Sequence, residues 1–198
     1  SSIVTDWLQE KKIPNLQYSI IYIEEFPSIA KGCQNYKTNI KINKDDIATI
    51  MLTTGTTDLP KAVQLTYNNF ESSSNNWNNF LNFNNKDNFL CCLPIHHIGG
   101  LAVLVRALIY NFSIHLAESF NSKLLYQLLN KNSITLVSLV PTMLDRIIKE
   151  SNGLASLKKT RAILLGGGAA SESLLNKCLK NKIPIVKTYG MTETCSGI

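Results

Sequence analysis

The chain has 198 residues, of which 44% are hydrophobic and 17% charged, with a formal net charge of +6. That length holds one substantial core, or one domain and part of another, and the balance excludes a disordered chain. The positive excess is scattered, with no Lys/Arg block among aromatics, which argues against nucleic-acid binding and suits a protein that handles phosphates.

In chain order, residues 4–12 read as a short amphipathic helix, and residues 1–6 lack the basic region and apolar stretch of a signal peptide. Residues 16–23 read as a strand and 28–46 as a polar connector. Residues 47–52 are almost continuously apolar, as expected of a strand covered on both faces. After a Thr/Gly loop, Val63, Leu65 and Tyr67 alternate with polar or small residues, which predicts a second strand. Residues 68–88 are dense in asparagine and read as a solvated helix and loop, with Trp77, Phe80, Leu81 and Phe83 as its apolar face.

A regular alternation follows. Residues 89–93 form a strand, and Leu101, Leu104, Val105 and Leu108 mark a helix by their i, i+3, i+4, i+7 spacing. The apolar run 101–110 contains Arg106 and is too short to cross a bilayer. Residues 113–116 are a strand, Leu124, Leu125, Leu128 and Leu129 a helix, and 134–140 a strand. Pro141 suits a helix start, with Leu144, Ile147 and Ile148 continuing it. Residues 161–165 are a strand, Ser171 caps a helix carrying Leu174, Leu175, Cys178 and Leu179, and 183–186 are the last strand. Strands alternating with helices predict an α/β fold with a largely parallel sheet. The chain stops at Ile198 after a polar, Gly-bearing segment and reads as a fragment of something longer.

The five cysteines, Cys33, Cys91, Cys92, Cys178 and Cys195, are odd in number and irregular in spacing, without C-x-x-C. They read as reduced thiols, and the protein as cytoplasmic. Cys91 and Cys92 stand near His96 and His97, so a zinc site is the alternative. Adjacent strand residues point to opposite faces, which favours buried thiols over a metal site.

Four loops offer chemistry. Residues 53–61 bring the hydroxyls of Thr53, Thr54, Thr56 and Thr57 together with Gly55, Asp58, Pro60 and Lys61 between two strands. Hydroxyls, free backbone N–H groups and a lysine suit phosphate oxygens, and Gly55 admits close approach. A Walker loop needs Gly directly before Lys and a helix after it, whereas Pro60 and a strand stand here. A hydroxyl loop closing over a triphosphate fits better, and a polar hairpin turn is the alternative. Gly166, Gly167 and Gly168 follow a strand, where parallel sheets bind ligands; they form either a tight turn or a wall for a flat group, and are not a dinucleotide fingerprint. Tyr189, Gly190, Met191, Thr192 and Glu193 supply a stacking ring, a hydroxyl and a carboxylate for Mg²⁺, again after a strand. His97, ahead of Gly99 and Gly100, is balanced between a substrate contact and a structural role, and His96 reads as structural.

Taken in this order, the four motifs resemble the adenylate-forming superfamily of acyl- and aryl-CoA ligases, luciferases and peptide-synthetase adenylation domains. The resemblance implies a layered α/β fold, with residues 1–198 a portion of the N-terminal AMP-binding domain and the C-terminal domain absent. It implies ATP, Mg²⁺ and coenzyme A as cofactor or co-substrates, and a small carboxylic acid as partner. By it, 53–61 is the phosphate loop, Tyr189 stacks on adenine, Thr192 contacts the α-phosphate and Glu193 binds Mg²⁺. Gly166, Gly167, Gly168 and Gly190 line the nucleotide, and Lys61, Thr192, Glu193 and His97 carry the chemistry. The acyl pocket falls between His97, the helix from Gly100, and residues 138–142, with Arg106 either solvated or touching the acid. Residues 94–101, with Arg106 and Tyr110, are similar to o-succinylbenzoate–CoA ligases of menaquinone biosynthesis. Another aryl- or fatty-acyl-CoA ligase, or a peptide-synthetase-type domain, is the alternative within the superfamily. A P-loop hydrolase and a degenerate binding module are the alternatives outside it. Asp58 stands where the family usually has Gly, Tyr67 replaces a common His, and His96 replaces an aromatic.

Overall fold

The computed structural model describes the backbone of residues 2–5 and 19–22, and the chain over 41–53, 61–117, 120–131 and 133–197. Two compact units divide at residue 42. In the first, β1 (Ser2–Thr5) and β2 (Ser19–Tyr22) pair in parallel, Ser2 with Ser19 through Thr5 with Tyr22. Val4 and Thr5 therefore belong to a strand and not to the expected helix, in keeping with the β-branched run Ile3, Val4, Thr5. The remainder of that helix, 6–12, lies outside the described residues.

The second unit begins with an antiparallel hairpin, β3 (Ile47–Thr53) and β4 (Lys61–Thr66), in which Thr53 faces Lys61. Coverage of β3 on both faces is not found: Ile50 is 56% and Leu52 74% exposed. Met51 and Leu65 are buried instead, in a cluster with Phe70, Ile98 and Cys195. A hairpin strand buries one face by period two, which a continuous apolar run cannot disclose. Tyr67 does not extend β4 but opens α1 (Tyr67–Leu81). The reason is local: the Thr66 side chain accepts from Asn69 N while the Asn69 side chain accepts from Thr66 N, a capping box that ends the strand. On α1 the buried face is Phe70, Ser73, Ser74, Trp77 and Leu81, whereas Phe80 is 67% exposed and lies off it.

The rest alternates as expected, apart from the short helix over Gly153–Leu157, which was not expected from the sequence: β5 (Asn88–Cys91), α2 (Ile98–Tyr110), β6 (Ser113–Leu116), α3 (Ser122–Lys131), β7 (Leu136–Leu139), α4 (Pro141–Ile148), α5 (Gly153–Leu157), β8 (Ala162–Leu165), α6 (Glu172–Lys180) and β9 (Ile185–Lys187). The five strands are all parallel, in the order β6-β5-β7-β8-β9. Alternate residues feed two cores. Leu90, Val137, Leu139, Ile163 and Leu165 pack with Leu125, Leu129, Leu144, Ile147 and Leu174 of α3, α4 and α6. Phe89, Cys91, Leu136, Ala162 and Leu164 pack with Trp77, Leu81, Val103 and Ala107 of α1 and α2. The sheet is thus sandwiched between two helical layers. Cys91 and Cys92 fall into different cores, and burial pushes the Cys92 thiol up to about 12. Among the described residues no group of His, Cys, Asp and Glu gathers as a metal cage, and the four described cysteines are free and buried.

The apolar repeat located α2 but not its buried face. Leu108 is 85% exposed, and the helix buries Ile98, Ala102, Val103, Arg106 and Ala107. A helix apolar nearly all round has no unique face in its sequence, and the small Ala102 and Ala107 let it lie close to the sheet.

At the amino ends of the strands, Arg161 Nη2 and Nε donate to Asp87 at 2.6 and 2.7 Å, and the Thr135 hydroxyl donates to the same carboxylate at 2.7 Å. Burial alone would raise the Asp87 carboxyl; Arg161, Thr135 and Asn84 outweigh it and hold the group below its ordinary value. This clamp ties β5, β7 and β8 together and leaves their carboxyl ends for ligands. After β9 comes a short hairpin, β10 (Gly190–Met191) and β11 (Ser196–Gly197), around a 3-10 turn (Thr192–Thr194). Among the described residues no helix is long and apolar enough to cross a membrane.

Candidate active site

A cleft opens over the carboxyl ends of β7, β8 and β9, where parallel sheets bind ligands. Ser138 and Leu139 come from β7, Leu164 from β8, and Gly166, Gly167 and Thr188 from the loops beyond β8 and β9. The opposite wall is Trp77 of α1, Ile98, Gly99 and Arg106 of α2, and the hairpin residues Gly190, Met191, Ser196 and Gly197. Its volume is about 160 Å³. A cavity of about 150 Å³ holds one benzene, so an arene fits here.

The glycines of this wall have a steric reason. A Cβ on Gly166 would lie 2.1 Å from Thr188 Oγ1. Gly167 has φ +73°, a left-handed backbone that side chains rarely adopt. On Gly190 a Cβ would lie 2.1 Å from the Ser196 carbonyl, so the hairpin closes only with glycine there. At the start of α2, a Cβ on Gly100 would lie 2.4 Å from the Pro94 carbonyl, because the loop before the helix folds back onto its first turn.

Arg106 dominates the electrostatics. Its side chain is 2% exposed, far more buried than a solvated helix arginine. Nη2 donates to Ser73 Oγ at 3.4 Å, and the guanidinium carbon lies 5.3 Å from the Trp77 ring centroid. Among the described residues Arg106 Nε is the one buried side-chain nitrogen or oxygen without a partner. Burial pushes the guanidinium down to about 10. A buried cation with an unused donor on a cleft wall has the chemistry to take an anion.

The sequence-derived residues distribute around this cleft. Gly166, Gly167 and Gly190 line it; Gly168 and Tyr189 are their exposed chain neighbours. Thr192 is half-buried and Glu193 exposed on the 3-10 turn that continues from the Gly190–Met191 wall. His97 is exposed at the N-cap of α2, its ring centroid 4.3 Å from that of His96, directly before the lining residues Ile98 and Gly99. Thr53 and Lys61 face each other at the loop end of the β3–β4 hairpin, and β4 packs beside the 3-10 turn. Thr54, Gly55, Thr56, Thr57 and Asp58 lie outside the described residues. Sequence reasoning did not find Trp77 or Thr188. Thr188 carried a signal, its place just past a strand's carboxyl end. Trp77 carried none, because its partner Gly197 is 120 residues away.

The AMP-binding enzyme family model matches residues 5–198. The chain belongs to the AMP-binding enzyme family. A 2-succinylbenzoate–CoA ligase of Listeria innocua is 40% identical over 151 residues, covering 76% of this chain and 32% of the relative. One from Staphylococcus aureus (strain MSSA476) is 40% identical over 158 residues, covering 80% and 32%. The chain thus spans about a third of the length of these curated relatives. Among solved structures, O-succinylbenzoate coenzyme A synthetase of Bacillus subtilis in complex with ATP and magnesium ion aligns with TM-score 0.87 and 33% identity, over 100% of this chain and 41% of that one. The same synthetase with the acyl-adenylate intermediate OSB-AMP aligns with TM-score 0.87, over 100% and 40%. Membership of this family settles the fold as that of the large domain of adenylate-forming enzymes, and removes the P-loop hydrolase as an alternative.

Proposed function

We propose that this chain is a portion of the N-terminal AMP-binding domain of an AMP-forming acid–CoA ligase acting on 2-succinylbenzoate in menaquinone biosynthesis. The observation that carries the reading is the cleft itself. It is roomy enough for one arene at about 160 Å³, and its wall holds a buried arginine with a free donor. That pairing suits an aromatic acid with a second carboxylate and suits a fatty acid poorly, since an aliphatic tail leaves Arg106 Nε buried without a partner. The names of the 40%-identical relatives support the same acid.

In this reading the acid's carboxylate oxygen attacks the α-phosphorus of ATP, and the bond to pyrophosphate breaks. Coenzyme A sulfur then forms the thioester as the carbonyl–AMP bond breaks. The first step joins two anions, so neutralising charge is the chain's main task. Lys61 and the hydroxyls of Thr53, Thr54, Thr56 and Thr57 hold the β- and γ-phosphates, and Thr192 donates to the α-phosphate. Tyr189, 67% exposed, offers its ring to adenine against the glycine wall of Gly166, Gly167 and Gly168. His97, at the mouth before α2, holds the reacting carboxylate. Glu193 is an exposed single carboxylate, which fits a Mg²⁺ ion that keeps its waters and takes phosphate oxygens. Bound there, Mg²⁺ would supply charge neutralisation on the phosphates. Reduced, buried thiols fit a cytoplasmic setting.

The test is thioester formation by the intact protein with ATP, Mg²⁺, coenzyme A and a panel of acids, read by mass spectrometry. 2-Succinylbenzoyl-CoA as the preferred product is expected. Preference for octanoate or unsubstituted benzoate would reassign the acid.

A further inference from the structure

The hairpin that carries Thr192 and Glu193 is not self-supporting. Cys195 and Ser196, neither of them glycine, sit at φ +53° and +89° immediately after the turn. Such backbone costs free energy and persists only where surrounding contacts hold it. Within the hairpin, Thr194 Oγ1 accepts from Met191 N at 3.0 Å and donates to the Ser196 carbonyl at 2.7 Å. Cys195 also packs among Met51, Leu65, Phe70 and Ile98, and the side-chain hydrogen bonds from outside the hairpin come from α1. Ser73 Oγ donates to the Cys195 carbonyl at 2.7 Å, and Trp77 Nε1 donates to the Gly197 carbonyl at 3.0 Å. The indole lies against Gly197 so closely that a Cβ there would be 2.5 Å from a ring carbon. Both α1 side chains are buried, at 8% exposure each. The same two residues hold Arg106: Ser73 Oγ accepts from Nη2, and the Trp77 ring stacks near the guanidinium. One serine hydroxyl therefore bridges the buried guanidinium on the cleft wall and the carbonyl of Cys195 behind the Thr192–Glu193 turn.

We propose that Ser73 and Trp77 are positioning residues that clamp the 190–197 hairpin in the conformation presenting Thr192 and Glu193, and that link it to Arg106. Neither belongs to a motif read from the sequence as chemical, and neither needs to touch the nucleotide to act. The kinetic consequence rests on the adenylation reading; the structural one does not.

The experiment separates the two. Amide hydrogen exchange of the intact protein, without ligand, is followed in peptides covering 189–197 and 134–140, for the unaltered protein, Ser73→Ala and Trp77→Phe. Loss of one buried hydrogen bond is expected to speed exchange in 189–197 by about tenfold while 134–140 is unchanged. In ATP–pyrophosphate exchange, the KM for MgATP is expected to rise at least about fivefold in both variants, a shift that a purely architectural role would not produce. Hairpin exchange and MgATP KM both within twofold of the unaltered protein would overturn the proposal, and so would a loosened hairpin with an unmoved KM. If Ser73→Ala does not accumulate folded, Trp77→Phe decides by the same thresholds. If the unaltered protein shows no acid-dependent ATP–pyrophosphate exchange, the adenylation reading falls, and hydrogen exchange alone decides the clamp.

Discussion

Replacing Arg106 by methionine separates a structural arginine from one held for a ligand. Methionine keeps much of the volume and removes the charge. On the stability side, the substitution loses the bond to Ser73, about 1.5 kcal/mol for a charged donor, and the contact with the Trp77 ring, about 1 kcal/mol. It also removes a buried Nε with no partner, whose desolvation costs about 2 kcal/mol, so the terms nearly cancel. The melting temperature is expected to move by no more than about 3 °C. On the binding side, a desolvated charge pair broken at one partner costs about 3 kcal/mol, roughly a hundredfold. The assay is steady-state ATP–pyrophosphate exchange with the acid varied at saturating MgATP. The acid KM is expected to rise about a hundredfold, and a benzoate lacking the second acidic arm is expected to lose most of that sensitivity. A large fall in melting temperature with an unchanged acid KM would refute the reasoning and make Arg106 a packing residue.

Other outcomes follow from single contacts. Glu193→Ala, at an exposed position, is expected to lower the rate of pyrophosphate release about a hundredfold with a melting shift under about 1 °C. Gly166→Ala places a Cβ 2.1 Å from Thr188 Oγ1 and is expected to destabilise by about 2 kcal/mol; Thr188→Ala in the same chain, which removes that oxygen, is expected to recover most of it in a denaturant titration. Asp87→Asn weakens the part-buried pair with Arg161 and is expected to cost about 2 kcal/mol at neutral pH. Because the folded Asp87 carboxyl titrates below its ordinary 3.8, its contribution is complete above that pH and lost as pH falls through the folded value. The variant should therefore lose less stability than the unaltered protein on acidification below pH 4, as read by acid titration of circular dichroism.

The alternation of strands and helices was legible because each half-turn of the fold leaves its own period in the sequence. Pro141 and Ser171 named two helix starts correctly, since Ser171 Oγ accepts from Leu174 N and Pro141 opens α4. What escaped was the direction of faces. Ile50 and Leu52 look like core residues and are exposed; Arg106 looks like a solvent residue and is buried. Apolarity reports what can be buried, while a neighbour elsewhere in the chain decides what is. Tyr67 was misplaced although its signal was present, in the Thr66-x-x-Asn69 capping box. Of the cleft, Gly166, Gly167 and Gly190 were legible because strand ends in a parallel sheet gather ligands. Trp77 and Ser73 were not, because their roles exist only once α1 meets a hairpin more than a hundred residues away.

The proposed activity is activation of 2-succinylbenzoate with ATP. ATP–pyrophosphate exchange by the intact protein, with that compound as the sole acid, tests it most directly. Label exchange is expected to require both the acid and Mg²⁺ and to be abolished by leaving out either. Exchange or ATP hydrolysis that proceeds without the acid, or none in its presence, would contradict it.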